Sequence, residues 1–403
     1  MGGGRVSGRL RTLGAHPSCR KMNILFIDSS RTWGGGGVWL LQICEGLIAL
    51  GHQITVICRP DSALTDRIRP TKVTLHTLPM TGDFHPLSIY SIHRIIKSRR
   101  MDIVCANMEK ELRLAGLAAR WAGVPIVVSR EVDRPLKDTW INRYFYNRVA
   151  SGVMVNSFAT YNTLLASAPW LGEQRCEIVW KGVDVGRYRG VLPSDVRREF
   201  GLQPNDCIAG FVGRLDEQKG IPTLLEAMKI AVPRSPRLRL ILAGEGNLRP
   251  KIEAFRRSNR LEDRIFLAGF RDDVPAFLRA IDFLVMPSYW EGFGYGAAEA
   301  MAAGKPVIGS WASSLPEIVD HRRTGILVAP RSPEDLARAM VELGADPGAR
   351  QEMGNAGSLR VERMFPLSRM VSKTESFFFR VVESYRSDRG SRQDDQSGVP
   401  PAD

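Results

Sequence analysis

The chain has 403 residues, 44% of them hydrophobic and 25% charged, which is ordinary globular composition at a length that calls for two cores rather than one. Its net charge of +13 points to anionic partners: phosphates, an acidic membrane surface or nucleic acid. The sequence holds no nucleic-acid-binding signature and no apolar run near the ~20 residues a bilayer span needs, so a globular enzyme binding a nucleotide diphosphate is favoured over a nucleic-acid binder or a transmembrane protein.

Residues 1–21 carry Arg5, Arg9, Arg11, Arg20 and Lys21, no acid, and no apolar stretch of a secretory signal. They read as a disordered extension, and Met22 is an alternative start because the first strand begins directly after it. From there, short apolar strands alternate with amphipathic helices. Strands are expected at 23–28, 53–58, 73–78, 102–106, 125–129, 152–156 and 177–180. Between them run a helix ending at Gly51 and helices at 87–100, 109–122, 136–149 and 159–166. The pattern breaks into a polar linker between about 185 and 205. It resumes with strands at 207–213, 238–243, 265–268, 283–286, 306–309 and 326–328, and with helices that include 222–231 and 333–343. A last helix at 366–385 carries Leu367, Met370, Val371, Phe377, Phe378, Val381, Val382 and Tyr385 on one face.

This alternation predicts an α/β chain with two doubly wound Rossmann-like domains, at 22–185 and 186–365. A helix at 366–386 and a disordered tail at 387–403 follow. Ligands belong in the cleft, at the carboxyl ends of the strands. Cys19, Cys44, Cys58, Cys105, Cys176 and Cys207 form no C-x-x-C pair and read as buried free thiols of a reducing compartment.

Five segments carry chemistry. Gly34–Gly37 lies between a strand and a helix, where glycines admit a ligand to the backbone and the helix N-terminus favours an anion; it is neither a Walker loop nor G-x-G-x-x-G. Arg214 and Lys219, set by Gly213 at the end of the first strand of the second domain, can converge on a diphosphate, Arg as a planar fork and Lys as a point charge. Gly244-Glu245-Gly246 ends another strand, and its bland reading as a tight turn is slightly favoured for Glu245. In Ser288–Gly304 two carboxylates, Glu291 and Glu299, stand eight positions apart among Gly292, Gly294 and Gly296 and the aromatics Trp290, Phe293 and Tyr295. Two solvated acids at a helix start would need none of those glycines and aromatics. Glu109, Lys110, Arg130, Glu131 and Asp133 follow strands of the first domain and face the cleft, with salt-bridged strand ends an equally good reading. There is no D-x-D, no H-E-x-x-H and no convergent His/Cys set, so no metal site is expected.

Taken together, Gly213-Arg214…Lys219-Gly220, Gly244-Glu245-Gly246, Glu291-x7-Glu299 and Leu315-Pro-Glu317 resemble the donor half of retaining GT-B glycosyltransferases of the group 1 / family 4 type. The resemblance spans about 22–385 and implies a GT-B fold, with acceptor bound by the first domain, donor by the second, and the last helix crossing back onto the first. It implies that Arg214 and Lys219 hold the donor diphosphate and stabilise its departure, that Glu299 accepts hydrogen bonds from the ribose, and that Glu291 holds the sugar hydroxyls. Gly213, Gly244, Gly292, Phe293, Gly294 and Tyr295 would support the donor, Gly36 and Gly37 would close over it, and Arg214, Lys219 and Glu291 form the implied catalytic set. Glu109, Lys110, Arg130 and Glu131 are the implied acceptor residues. Relatives often carry a His after the strand at 125–129, where this chain reads Ser129-Arg-Glu-Val-Asp133, and Asn-Gly-Val-Asp where it reads Lys181-Gly-Val-Asp184.

The expected function is metal-independent transfer of a sugar, with retention, from a nucleoside diphosphate sugar to a glycan or lipid-linked acceptor in cell-envelope or lipopolysaccharide synthesis. The expected place is the cytoplasm, with peripheral contact at the inner face of the cytoplasmic membrane, and no nucleic-acid partner. His93, Arg94, Lys97, Arg99 and Arg100, with Trp140, Tyr144 and Phe145, are the residues expected to touch an anionic bilayer. Two other classes stay open: a sugar-nucleotide epimerase or hydrolase on the same fold, and a non-catalytic basic protein that binds membrane or nucleic acid.

Overall fold

A computed structural model of the protein describes residues 20–394. The predicted extension, apart from Arg20 and Lys21, and the last nine residues of the predicted tail lie outside the described residues.

The first domain is a seven-stranded sheet of β1 (Asn23–Asp28), β2 (Gln53–Cys58), β3 (Thr74–Thr77), β4 (Ile103–Ala106), β5 (Ile126–Arg130), β6 (Gly152–Val155) and β7 (Cys176–Ile178), in the order β3-β2-β1-β4-β5-β6-β7. The second is a six-stranded sheet of β8 (Cys207–Val212), β9 (Leu238–Ala243), β10 (Ile265–Gly269), β11 (Phe283–Met286), β12 (Val307–Ser310) and β13 (Gly325–Val328), in the order β10-β9-β8-β11-β12-β13. Every strand pair is parallel. Each sheet is covered on both faces, which is why the strands read as continuous apolar runs. Strand order reverses beside β1 in one sheet and β8 in the other, and a crevice opens at such switch points. The glycine loop follows β1, the Arg214–Lys219 loop follows β8, and the Glu291 loop follows β11. The chemistry-bearing segments therefore meet at the two switch points.

The last helix, Leu367–Asp394, returns to the first domain. Met370, Val371, Phe377, Phe378, Val381 and Val382 share one core with Trp39 and Phe26, and the Phe378 and Phe26 rings lie 6.1 Å apart. The helix continues past the predicted end near 386. There its apolar stripe gives out, and Arg386 on Asp102 at 2.8 Å and Arg389 on the Gly123 carbonyl at 2.9 Å anchor it. Helix Pro347–Met364 has no counterpart among the predicted elements, because its glycines lower the helical signal. They serve packing: a Cβ on Gly354 would stand 2.1 Å from the Gly304 carbonyl oxygen. The helix expected from residue 136 begins instead at Trp140, where Thr139 Oγ1 accepts the Asn142 amide at 3.2 Å. Among the described residues no helix is long and apolar enough to cross a membrane, and Cys44, Cys58, Cys105, Cys176 and Cys207 are free thiols.

Candidate active site

Strand β11 runs into a loop that puts Glu291 at the base of the interdomain cleft with only 6% of its surface exposed. A carboxylate that far from water needs partners. Glu291 Oε1 accepts from Lys219 Nζ at 2.6 Å and from Ser288 Oγ at 2.7 Å. Ser314 Oγ sits 2.9 Å from the Phe293 carbonyl and 3.2 Å from that of Glu291, which holds the loop's carbonyls inward. The Phe293 ring is core, packed edge-on against Phe365 at 5.5 Å, so only its backbone is available to a ligand. Gly294 then caps helix Tyr295–Ala302 without a side-chain bond. Among the described residues the amides of Phe293, Gly294, Tyr295 and Gly296 have no acceptor, leaving an anion site at the helix start.

Lys219 therefore faces a carboxylate. Arg214 stands at the cleft rim, its Nη2 bonded to Gln218 Oε1 at 2.9 Å and paired with Asp216 at 3.1 Å. Gln218 Nε2 in turn donates to the Trp290 carbonyl at 3.1 Å, so Gln218 joins the β8 loop to the Glu291 loop. Gly213 and Gly244 end the neighbouring strands β8 and β9, their backbones in contact. Glu245 pairs with Arg249 one helical turn away at 2.9 Å, the bland reading of that residue.

Glu299 lies on the same helix, one face round from the loop, and its Oε1 accepts from Tyr188 Oη at 2.9 Å. Burial pushes its carboxyl up to about 7, with the Tyr188 hydroxyl and Arg187 acting in the opposite sense. Tyr188, itself 4% exposed, has its hydroxyl raised by burial and by that carboxylate.

The first domain closes over this face. Gly35 sits against the Tyr295 ring, a Cβ there standing 3.2 Å from Tyr295 Cδ2; Gly36 faces the Asn107 side chain, and Gly37 the Trp33 ring. Gly292 meets the first domain so closely that a Cβ would stand 1.9 Å from the Glu131 carbonyl oxygen. Only glycine permits that approach. Arg134 stacks over the Trp290 ring at 4.7 Å, and Arg67 reaches Asp272 at 2.8 Å, both across the cleft.

Family models match nearly all of this architecture: "Glycosyl transferases group 1" over residues 194–360 and "Glycosyltransferase Family 4" over residues 33–187. The D-inositol 3-phosphate glycosyltransferase of Pseudarthrobacter chlorophenolicus is 32% identical over 366 residues, 82% of this chain and 86% of that protein. The chain belongs to the group 1 glycosyltransferases. A UDP-Gal:alpha-D-GlcNAc-diphosphoundecaprenol alpha-1,3-galactosyltransferase of Escherichia coli is 24% identical over 76% of this chain and 84% of that one. The crystal structure of Anabaena Alr3699/HepE in complex with UDP and glucose superposes with a TM-score of 0.79, covering 88% of this chain and 98% of that one at 23% identity, which establishes the shared GT-B fold.

Within this glycosyltransferase the residues singled out in the second domain come together, while those of the first separate. Arg130 turns inward, 6% exposed, bonded to Glu109 and to the Arg134 carbonyl. Lys110 donates to the Met80 carbonyl at 3.0 Å. Both are strand-end braces. Glu131 remains in the cleft, where its Oε1 takes the Ser129 hydroxyl at 2.6 Å and the Lys181 ammonium. Lys181, 2% exposed, stands 3.6 Å over the Trp39 ring, and burial draws its ammonium down to about 8 against the pull of Glu131. This pair joins the two segments, Ser129–Asp133 and Lys181–Asp184, where the sequence departs from the pattern it resembles. Sequence reasoning missed Lys181, Tyr188, Gln218 and Ser314 as members of the site. The departures at 129–133 and 181–184 were both visible; that Lys181 pairs with Glu131 was not. Among the described residues no three His, Cys, Asp or Glu side chains converge as a metal set.

Proposed function

We propose that the protein transfers a sugar, with retention of anomeric configuration, from a nucleoside diphosphate sugar to a glycan or lipid-linked acceptor in cell-envelope polysaccharide synthesis. The carrying observation is one loop and helix that present Glu291, the acceptor-free amides of the helix start and Glu299 in that order. A sugar, a diphosphate and a ribose present hydroxyls, anion and hydroxyls in that order. On this reading the diphosphate lies on the helix N-terminus, with Arg214 and Lys219 neutralising the charge that grows as it departs. Glu291 and Glu299 accept from the sugar and ribose hydroxyls, Gly36 and Gly37 cover the donor, and Glu131 faces the acceptor. This arrangement balances the charge of the leaving group without a metal. That the E. coli relative is named for an undecaprenol-linked acceptor supports a lipid-linked class.

A melting-temperature screen against UDP-, GDP-, ADP- and TDP-sugars tests the donor. One family of nucleotides is expected to raise Tm by mass action, and Glu299→Gln to reduce that rise. Proton NMR of the product then reads the anomer. An inverted product, or epimerised sugar from donor alone, overturns the reading.

The same proposal places the enzyme at the inner face of the cytoplasmic membrane. Leu87, Tyr90 and Trp121 are 71%, 50% and 61% exposed, and His93 stacks on Trp121 at 3.9 Å, among the exposed cations Arg94, Lys97 and Arg120. Apolar rings collared by cations suit an anionic interface. Phe145, expected there, is instead buried in the core. Co-sedimentation with phosphatidylglycerol vesicles, lost for Trp121→Ser and absent with phosphatidylcholine, is the expected result; equal binding to both lipids removes this part of the proposal.

A further inference from the structure

We infer that Glu317 is a positioning residue that latches the interdomain cleft shut by capping a helix of the opposite domain. Glu317 belongs to the short helix Leu315–Ile318 of the second domain. The helix it caps, Phe158–Ser167, belongs to the first. The first-turn amides of any helix lack intrahelical acceptors and must find them elsewhere. In this one the work is divided. Ser157 Oγ, from the helix's own domain, accepts the Thr160 amide at 3.0 Å. The Phe158 and Ala159 amides go across the cleft, to Glu317 Oε2 at 2.9 Å and Oε1 at 2.8 Å. A third donor, Trp180 Nε1, reaches Glu317 Oε2 at 3.0 Å.

Three donors from one domain thus converge on one carboxylate from the other. The carboxylate also sits where the helix dipole favours negative charge. Its own backbone is braced from behind, because Arg360 Nη2 and Nε donate to the Glu317 and Ile318 carbonyls at 2.9 and 2.8 Å. Glu317 is therefore presented rigidly from the second domain. A movement that separates helix Phe158–Ser167 and Trp180 from helix Leu315–Ile318 removes all three contacts together.

The location couples the latch to the site. Trp180 lies where the chain leaves the first domain, and Phe365 where it returns; their rings meet edge-on at 5.8 Å. Phe365 packs on Phe293 of the Glu291 loop at 5.5 Å. With the latch closed, Gly35 touches Tyr295 and Gly292 touches the Glu131 carbonyl. Glu317 touches neither the Glu291 nor the Glu299 carboxylate, so its part is to set the population of the closed form. The contact is only partly buried. Water can take over both sides, which makes the latch reversible.

The test compares Glu317→Ala with Ser157→Ala. Both remove a cap of the same helix, but only the first removes a link between domains. Small-angle scattering of the full chain, with no substrate added, is expected to show a larger radius of gyration for E317A and an unchanged one for S157A. With the nucleotide sugar that raises Tm in the screen, E317A should raise the donor KM about tenfold, because apparent affinity scales with the closed fraction, and S157A should stay within about twofold of native. Should E317A fail to fold, Glu317→Gln, which keeps the volume and loses the charge, is read in the same two ways. Scattering of E317A or E317Q that superposes on native, or kinetics in which S157A matches the Glu317 variant, overturns the latch. The scattering arm needs no donor, so its failure is separable from a failure of the donor assignment.

Discussion

Lys219→Met is expected to lower the stability of the second domain by about 3 kcal/mol, the low end for breaking a buried ion pair. The cause is the carboxylate it leaves behind: Glu291, at 6% exposure, keeps only the Ser288 hydroxyl among the described residues. Pairing Lys219→Met with Glu291→Leu removes both charges and should return most of the stability, since two apolar groups in that volume need no partners. Activity should separate from stability in the same pair. On the proposed donor placement, the single variant loses the cation that would face the departing diphosphate, an effect on the order of 10²–10³ in kcat for a preorganised electrostatic contact. The double variant recovers its fold and stays inactive. Urea unfolding and steady-state transfer on the native protein, the single variants and the double variant check this. A Lys219→Met protein as stable as native, or a double variant that regains transfer, would exclude the roles assigned to the pair.

Donor affinity is expected to weaken about tenfold for each pH unit below about 7, and the dependence to vanish in Glu299→Gln. The carboxyl of Glu299 stands near pH 7 in the folded protein because burial disfavours its charge. On the proposed donor placement ribose hydroxyls donate to the ionised form, so below pH 7 binding must first release a proton. Calorimetry at pH 6 in buffers of different ionisation enthalpy reads that proton directly. Tyr188→Phe sharpens the test, because its hydroxyl stabilises the Glu299 carboxylate and its loss moves the midpoint to higher pH. The effect on stability has the opposite sense to that on binding. A carboxyl raised on folding binds its proton more tightly in the native state, so this group's contribution to stability declines as pH rises from the ordinary carboxylate range through about 7. Binding that is flat between pH 6 and 8 would remove Glu299 from the ribose.

Much of the second domain was legible because its chemistry is local. Arg214 and Lys219 share one loop, and Glu291 and Glu299 share one loop and helix, so their local spacing carried the motif by which the resemblance implied one shared ligand. The first domain was less so. Glu109, Lys110, Arg130 and Glu131 follow strands and so point toward the cleft edge, yet three of them are spent bracing one another or the neighbouring loop. Sequence position carries no information on which of several adjacent charges finds an internal partner first. Helix Pro347–Met364 was lost for a related reason: its glycines lower helical propensity, and their purpose lies in the opposing backbone at Gly304.

From the sequence alone came the two α/β series and the glycine-rich strand ends, because periodicity and turns are properties of neighbouring residues, and the donor residues implied by the resemblance of their motifs. Only the tertiary structure decided the partners. It put Lys219 on Glu291, Tyr188 on Glu299, Lys181 on Glu131 and Glu317 on a helix of the other domain. Each of those contacts joins residues at least 50 positions apart, set by how two sheets and their covering helices pack rather than by any local pattern.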